Sequence, residues 1–340
     1  MYLGETFNLT HLLHQTSPNR HQYAYKLHYL LPLKPKRGVA SQGNDEDTAI
    51  SELLRLQSVF NVPHVEICHE LFRVYFKYAH PHYPILDRGD FASRYHDPSN
   101  PPSYLLLQAV LFMAAGHCPV SLLYEAGFKS RYDARLTLFK RAKALYDADY
   151  ESDQVTIVQS LFLMSFWWNT LIDQKDTWYW LGNSISLAVT LGMHRSTRNS
   201  DLSLRDQRLW KKIWWSLFAE DKHAAAALGR PVHIRLRDCD VEPLNEADFE
   251  EEAMPHIHVF DTQEKVHVSY VICLSELSKI LEHVIEKSFI TPNQMRSTGV
   301  DTREECQAML EEWEARLPEE LQFRSNGEYL WTKILHIAHR

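Results

Sequence analysis

The chain has 340 residues, 45% of them apolar and 24% charged, which is enough to bury a sizeable core in one or two globular domains. Its 36 Lys and Arg face 44 Asp and Glu, a formal charge of −8; gripping a polyphosphate calls for a clustered cationic excess, so the chain as it stands is a poor nucleic-acid binder. Only 11 residues are glycine, and tight turns and strands use glycine freely, so the balance leans helical.

Residues 1–31 mix aromatics and histidines around a weak helical pattern at Leu9, Leu12 and Leu13, and read as an N-terminal extension. Residues 32–48, "PLKPKRGVASQGNDEDT", have the composition of a solvated linker. Their "KPKR" run is of the kind that serves as a nuclear address, and is also common without that role. From residue 49 to 253 the pattern is helix after helix. "HVEICHELFRVYFKYAH" places Ile67, Leu71, Val74, Tyr75 and Tyr78 on one predicted face, and stops at Pro81 in "HPHYPILD". Ser103 opens the apolar run "YLLLQAVLFMAAG" at 104–116, too short to span a bilayer and expected as a buried core helix.

"KSRYDARLTLFKRAKALYD" spaces Tyr132, Leu136 and Phe139 along a stripe, and Ser152 stands where a cap belongs before "DQVTIVQSLFLMSFWW". "DTWYWLGNSISLAVTLGMHR" ends near Gly192, which suits a left-handed cap. Next comes "RLWKKIWWSLFAEDKHAAAALGRPVHI" at 208–234, with Ser203 and Asp206 resembling a capping box ahead of it and Gly229 and Pro231 ending it. Residues 245–252 read as an acidic loop. A C-terminal helical continuation, 254–340, carries amphipathic segments at about 262–288, 302–317 and 326–338. The expected architecture is all-α, an irregular bundle of about ten helices.

Five cysteines, Cys68, Cys118, Cys239, Cys273 and Cys306, lie 33 or more residues apart. An odd count without metal-knuckle spacing reads as free thiols in a reducing compartment. There is no basic-then-apolar leader of secretory type, so export is not expected.

The apolar stripe of residues 210–228 carries an acid, Asp221. Unpaired there it would cost several kcal/mol, so it must be paired or neutral. Arg230, just past the helix end, and Arg195, after the preceding helix, are its expected partners through a bidentate guanidinium bond. As a catalytic acid it would need a cleft and a second polar group, so the structural role is preferred. His80 with His82, and His256 with His258, are His-x-His pairs that could chelate zinc with a third ligand; at loop positions in a chain of 19 histidines solvated or structural histidine is the plainer reading. The aromatic clusters at 166–168, 178–180 and 214–215 read as core packing. A nucleophile elbow, a phosphate loop, a paired-histidine zinc-protease motif and a dinucleotide fingerprint are all missing, so no enzyme is predicted.

Three stretches in order, 80–91, 176–195 and 208–244, resemble the middle homology region of fungal zinc-cluster transcription factors, of the cutinase transcription factor type. The resemblance rests on His80, Pro81, Pro84, Ile85, Leu86 and Asp87; on Trp178, Gly182, Leu191, Gly192, His194 and Arg195; and on Arg208, Trp214, Trp215, Asp221, Gly229, Arg230 and Pro231, followed by "DCDVEPL". "YLGETFNLTHLL" near the start resembles the segment before that region. The resemblance implies a nuclear regulator whose helical domain controls transcription by binding proteins or a small metabolite, with homodimerisation an open option and no membrane. An all-α small-molecule sensor and a metal-dependent hydrolase using the histidines are the alternatives. The family's DNA-binding module is a six-cysteine, two-zinc cluster. No such cluster lies in these 340 residues, so zinc and DNA are expected only through a missing N-terminal module, in a chain either cut short or naturally without it. No residue here is assigned as catalytic, cofactor-binding or metal-binding.

Overall fold

A computed structural model describes residues 45–168, 175–250, 260, 263–288, 302–322 and 330–339. The N-terminal extension, the "KPKR" run and the His256–His258 pair lie outside the described residues. Within them the fold is all-α, with twelve α-helices and no strand.

Helix α1, Asp45–Leu56, begins inside the stretch expected as linker. Helix α2, Val65–Val74, runs into a π turn at Tyr75–Ala79, closed by His80 N–H donating to the Tyr75 carbonyl at 2.9 Å. The wider turn shifts the phase of the helix face. Cys68, Leu71, Phe72, Tyr75, Phe76 and Ala79 are buried, while Tyr78, expected on the inner stripe, is exposed. Helix α3, Arg88–Tyr95, starts from Asp87, whose carboxylate caps the Asp90 N–H at 2.8 Å. Helix α4, Tyr104–His117, is apolar all round and buried from Leu105 to Ala115, which is how a helix reads when covered on every side. Ser103 sits at its N-cap position without a side-chain cap bond.

Short α5, Val120–Glu125, leads to α6, Arg131–Asp147, which lies along α4. The expected α6 stripe is only partly inside: Phe139 is buried and Tyr132 is exposed, because Ala134, Leu138, Ala142 and Leu145 form the inner face. Helix α7, Gln154–Met164, is capped by Asp153 and not by Ser152, since the Asp153 carboxylate accepts from Thr156 N–H at 3.1 Å. It packs on α4 and on α8, Thr177–Leu191. Helix α9, Leu204–Leu228, runs between α8 and α10, Lys265–Ser288, and α10 in turn carries α11, Thr302–Ala315, and α12, Leu330–His339. One apolar core continues from Leu54 to Leu335.

The two predicted glycine caps are present. Gly192 and Gly229 end α8 and α9 with φ of +87° and +63°, a left-handed conformation that a Cβ disfavours. At the start of α9 the Ser203 hydroxyl accepts from Asp206 N–H at 3.1 Å and donates to its carboxylate at 2.7 Å. The aromatic clusters divide: Trp167, Trp180, Trp214 and Trp215 are core, while Trp168 and Tyr179 reach solvent.

Asp87 does two jobs at once, capping α3 and accepting from Arg205 Nε of α9 at 2.6 Å. Burial pushes its carboxyl up, but the Arg205 hydrogen bond and the Asp90 N–H outweigh this and hold it below the ordinary carboxylate value. Asp87→Ala should therefore cost about 1–3 kcal/mol, a lost cap plus a lost charged hydrogen bond. Thermal unfolding checks it, and Asp87→Asn should recover the cap share only.

Candidate functional site

Six of the residues that carry the resemblance, Trp178, Gly182, Asp221, Gly229, Arg230 and Pro231, meet at the joint where α9 ends, between α8 and α10. Gly229 turns the chain out of α9, and Pro231 fixes the following turn, so residues 233–234 fold back over the helix they have just left. There the Asp221 carboxylate, fully buried, accepts from His233 N–H at 3.0 Å and Ile234 N–H at 2.9 Å. His233 Nδ1 lies 2.9 Å from Asp221 Oδ1, and Lys222 Nζ lies 3.0 Å from Oδ2. Burial pushes the Asp221 carboxyl up, yet the His233 bond, the Lys222 charge and the two backbone N–H groups overcome it and leave it below the usual carboxylate value. It is an ionised, fully engaged acceptor.

The cation beside it is Lys222, not an arginine, which corrects the expectation from sequence. Arg230 reaches back to Asp176, the N-cap of α8, at 2.8 Å, with its guanidinium 5.7 Å from the Trp178 ring centre. Arg195 pairs with Asp240 at 3.2 Å, in a second contact where Ser196 N–H also donates to Asp240 at 2.8 Å. The left-handed Gly229 is the physical reason: it swings Arg230 toward α8 and delivers backbone N–H groups to the acid instead. Lys222 is fully buried, donates to the Ile234 carbonyl, sits 4.3 Å from the Phe218 ring centre and lies 4.0 Å from Glu282 of α10. Glu282 accepts from Leu236 N–H at 2.8 Å, so α10 grips the same returning loop.

The other side of the joint is α8. Trp178 and Gly182 are four residues apart and so share a face. The His233 ring lies 3.8 Å, centre to centre, from Trp178. A Cβ on Gly182 would meet His233 Nε2 at 2.9 Å, so only glycine leaves room for the ring. Trp214, one helix turn pair below, is buried near His194, and Trp215 Nε1–H donates to the Glu242 carbonyl at 2.8 Å. Sequence reasoning singled out Trp178, Gly182, Trp214, Asp221 and Arg230 but missed Lys222, His233, Glu282 and Asp176. "RPVHI" was the available signal for His233, since a histidine beyond a glycine cap has a short path back to the helix.

The remaining motif histidines bond to separate partners. His80 Nε2 is 3.0 Å from the Leu86 carbonyl, closing the "HPHYPIL" turn with Pro81 buried inside it. Burial, with the Arg88 charge next, holds His80 neutral far below the ordinary imidazole value. His82 Nδ1 meets the Tyr270 hydroxyl. The two rings of this pair are thus committed to different groups. Among the described residues no cluster of three or more His, Cys, Asp or Glu is arranged to hold a metal. The five cysteines are far apart in sequence, and Cys68 and Cys118 are buried, so these residues do not fit a two-zinc, six-cysteine cluster.

One residue before Asp221 on α9, half-buried Glu220 accepts from the Tyr83 hydroxyl. Burial, then repulsion from Asp221, pushes its carboxyl up to about 7 in spite of that hydrogen bond.

A sequence profile of the fungal specific transcription factor domain matches residues 73–315. The chain is 38% identical over 336 residues to cutinase transcription factor 1 alpha of Fusarium vanettenii, covering 98% of this chain and 36% of that protein. It is 40% identical over 204 residues to cutinase transcription factor 1 beta of the same fungus, covering 59% of this chain and 23% of that protein. It is 31% identical over 290 residues to the acetamidase regulatory protein of Aspergillus fumigatus, covering 84% and 35%. The chain therefore spans about a third or less of the length of these relatives. No solved structure matches.

Two outcomes follow from this geometry. Asp221→Asn leaves Lys222 buried without its nearest counter-charge and should cost about 3–5 kcal/mol. Lys222→Met should cost less, because the backbone N–H groups and His233 stay on the acid, and the double variant should recover at least about 1 kcal/mol of the summed loss. A strictly additive cycle in urea unfolding would contradict the coupling.

Glu220 gives a pH signature. Its folded carboxyl titrates near 7 against an ordinary 4.5, so between those values the folded chain keeps a proton that the unfolded chain releases, and stability falls as pH rises across the window. Glu220→Gln removes that loss. Its advantage over the native chain should be near zero at pH 4.5 and grow to about 1–2 kcal/mol at pH 8, discounted for partial exposure. Paired melts across that range check it, because the buried histidines contribute equally to both proteins and drop out of the difference.

Proposed function

The chain belongs to the fungal specific transcription factor domain family, and on that premise we propose that it is a regulatory module that controls transcription by being bound. Its partners are other regulatory proteins or components of the transcriptional machinery. DNA is reached through a module outside these residues, and the site of action is the nucleus. Two of these relatives are named for a cutinase and an acetamidase as factors that regulate them, in keeping with a role in expression and not in turnover.

The observation that carries this reading is the employment of the motif residues. Trp178, Gly182, Asp221 and Arg230 meet in one packed joint with His233 and Lys222. A catalytic acid needs a substrate position beside it and a pKa suited to proton transfer. Asp221 has its oxygens occupied by backbone and side-chain donors and is held in its ionised form. Such a joint makes a rigid body, which is what a module that presents surfaces to partners requires.

Tethering tests it. Fused to a heterologous DNA-binding domain with a constitutive activation segment, residues 1–340 should change reporter output several-fold relative to the same fusion lacking them. Asp221→Asn, by loosening the joint, should return output toward the fusion without the module at equal protein level. Output indifferent to the presence of the chain, in both fungal and non-fungal host cells, would overturn the reading.

A further inference from the structure

A groove of about 680 Å³ runs between α1 and α6. On α1 its wall is Ile50, Leu53 and Leu54, spaced i, i+3 and i+4 along one helix face. On α6 the wall is Lys140, Arg141 and Ala144, with Ala148 just past the helix end. This is a different face from the one that Ala134, Leu138, Ala142 and Leu145 turn to the core. Leu54 is buried, but Leu53 on the same wall is 54% exposed, so apolar surface is left open along the groove. The walls are held in advance. Arg141 donates to the Asn61 carbonyl at 3.0 Å, and Gln108 of α4 donates to the Val59 and Asn61 carbonyls at 2.8 and 3.0 Å, which pins the turn after α1.

The charge on the rim runs against that of the chain. Three cations, Lys140, Arg141 and Lys143, line the groove with one acid, Asp147, and Lys143 is paired with that acid. Lys140 is exposed and has no ion pair among the described residues, and Arg141 bonds to a carbonyl and not to an acid. In a chain of net charge −8 this is a local positive strip beside an apolar floor, complementary to an acidic amphipathic surface. Other occupants fit less well. Residues 1–44, which lead into α1, carry Arg20, Lys26, Lys34, Lys36 and Arg37 against the single acid Glu5, and so match the rim in sign. A two-fold contact with a second copy would set the same cations against themselves. An extended peptide finds no strand edge to join among the described residues, whereas two neighbouring helices offer ridges and a groove to a third.

We propose that this groove docks an acidic amphipathic helix of a partner protein, its apolar stripe against Ile50, Leu53 and Ala144 and its carboxylates toward Lys140 and Arg141. From Thr137 to Asp147 the α6 wall is about 15 Å long at a rise of about 1.5 Å per residue, so the contact takes about three turns of the incoming helix. The cations set its orientation and speed its approach, while the leucines supply most of the affinity. The inference gives the regulatory reading its class of partner, and it rests on that reading for the consequence in the cell. The docking itself is measured on the purified chain.

Fluorescence anisotropy tests it, with the full chain titrated into a labelled peptide of about 16 residues that carries leucine on one helical stripe and glutamate and alanine elsewhere. One control peptide has lysine in place of glutamate, and the other has alanine in place of leucine. The expected result is saturable binding of the acidic amphipathic peptide, at least about tenfold tighter than either control and weakened several-fold as salt rises from about 0.05 to 0.5 M. Lys140→Glu should weaken it about threefold to tenfold and tighten binding of the lysine peptide, and Leu53→Glu should weaken it about tenfold or more. Both side chains are exposed, so the variants should melt close to the native chain, and a melt confirms that they are folded. No saturable binding, equally tight binding of the lysine peptide, or an affinity unchanged in either folded variant would each overturn the proposal. So would a dimer, seen by sedimentation, that Leu53→Glu dissociates, because a second copy would then be the occupant. A reporter response without docking would sink this inference alone, and docking without a reporter response would sink the regulatory reading alone.

Discussion

A buried carboxylate that accepts two backbone N–H groups from a returning loop is the constraint on which this fold turns. Burying Asp221 would be prohibitive alone. It becomes affordable because the chain leaves α9 through a left-handed glycine and brings residues 233 and 234 back over the acid. Each partner in turn needs the acid. The His233 and Ile234 N–H groups would lose their acceptor, and the Lys222 ammonium its nearest counter-charge, without it. Removing any one group strands the others, which is why the joint behaves as a unit and not as a sum of contacts.

The joint also explains why unremarkable residues recur around it. Gly182 is a hole in the surface of α8, and the hole has the size of an imidazole edge. Trp178 forms the floor of that hole, and Arg230 closes its far side by reaching Asp176 at the helix start. From the opposite end of α9, Arg205 takes Asp87, and Asp87 caps α3. Helix α9 is thus tied at one end to the "PILD" turn and at the other to α8 and α10, with its tryptophans filling the core between. Charged groups here set direction while apolar burial supplies most of the stability.

Much of this was legible in the sequence. Apolar periodicity and scarce glycine predict the helical class, Gly192 and Gly229 their caps, and the run 105–115 its complete burial. Asp221 on an apolar stripe had to be paired. Which group pairs with it was not legible. Neighbours in a helix point about 100° apart, which argues against Lys222 until its long stem is seen to curl past Phe218 to the Ile234 carbonyl. The buried face of α2 was misphased at Tyr78 because a π turn adds a residue that no periodicity table anticipates. Tyr132 was misplaced because the inner face of α6 runs through Ala134, Leu138, Ala142 and Leu145, and its two alanines carry weak apolar signal.

The most direct test of the central claim is native-state amide hydrogen exchange at His233 and Ile234. Residues just beyond a helix cap, in a segment that is largely exposed, would ordinarily exchange within the time of local fraying. If Asp221 holds both N–H groups as described, they should exchange only through global unfolding, with protection matching that of the α9 core around Trp214. Rapid exchange at both amides, with the α9 core still protected, would show that the loop is not held by the acid and would contradict the account.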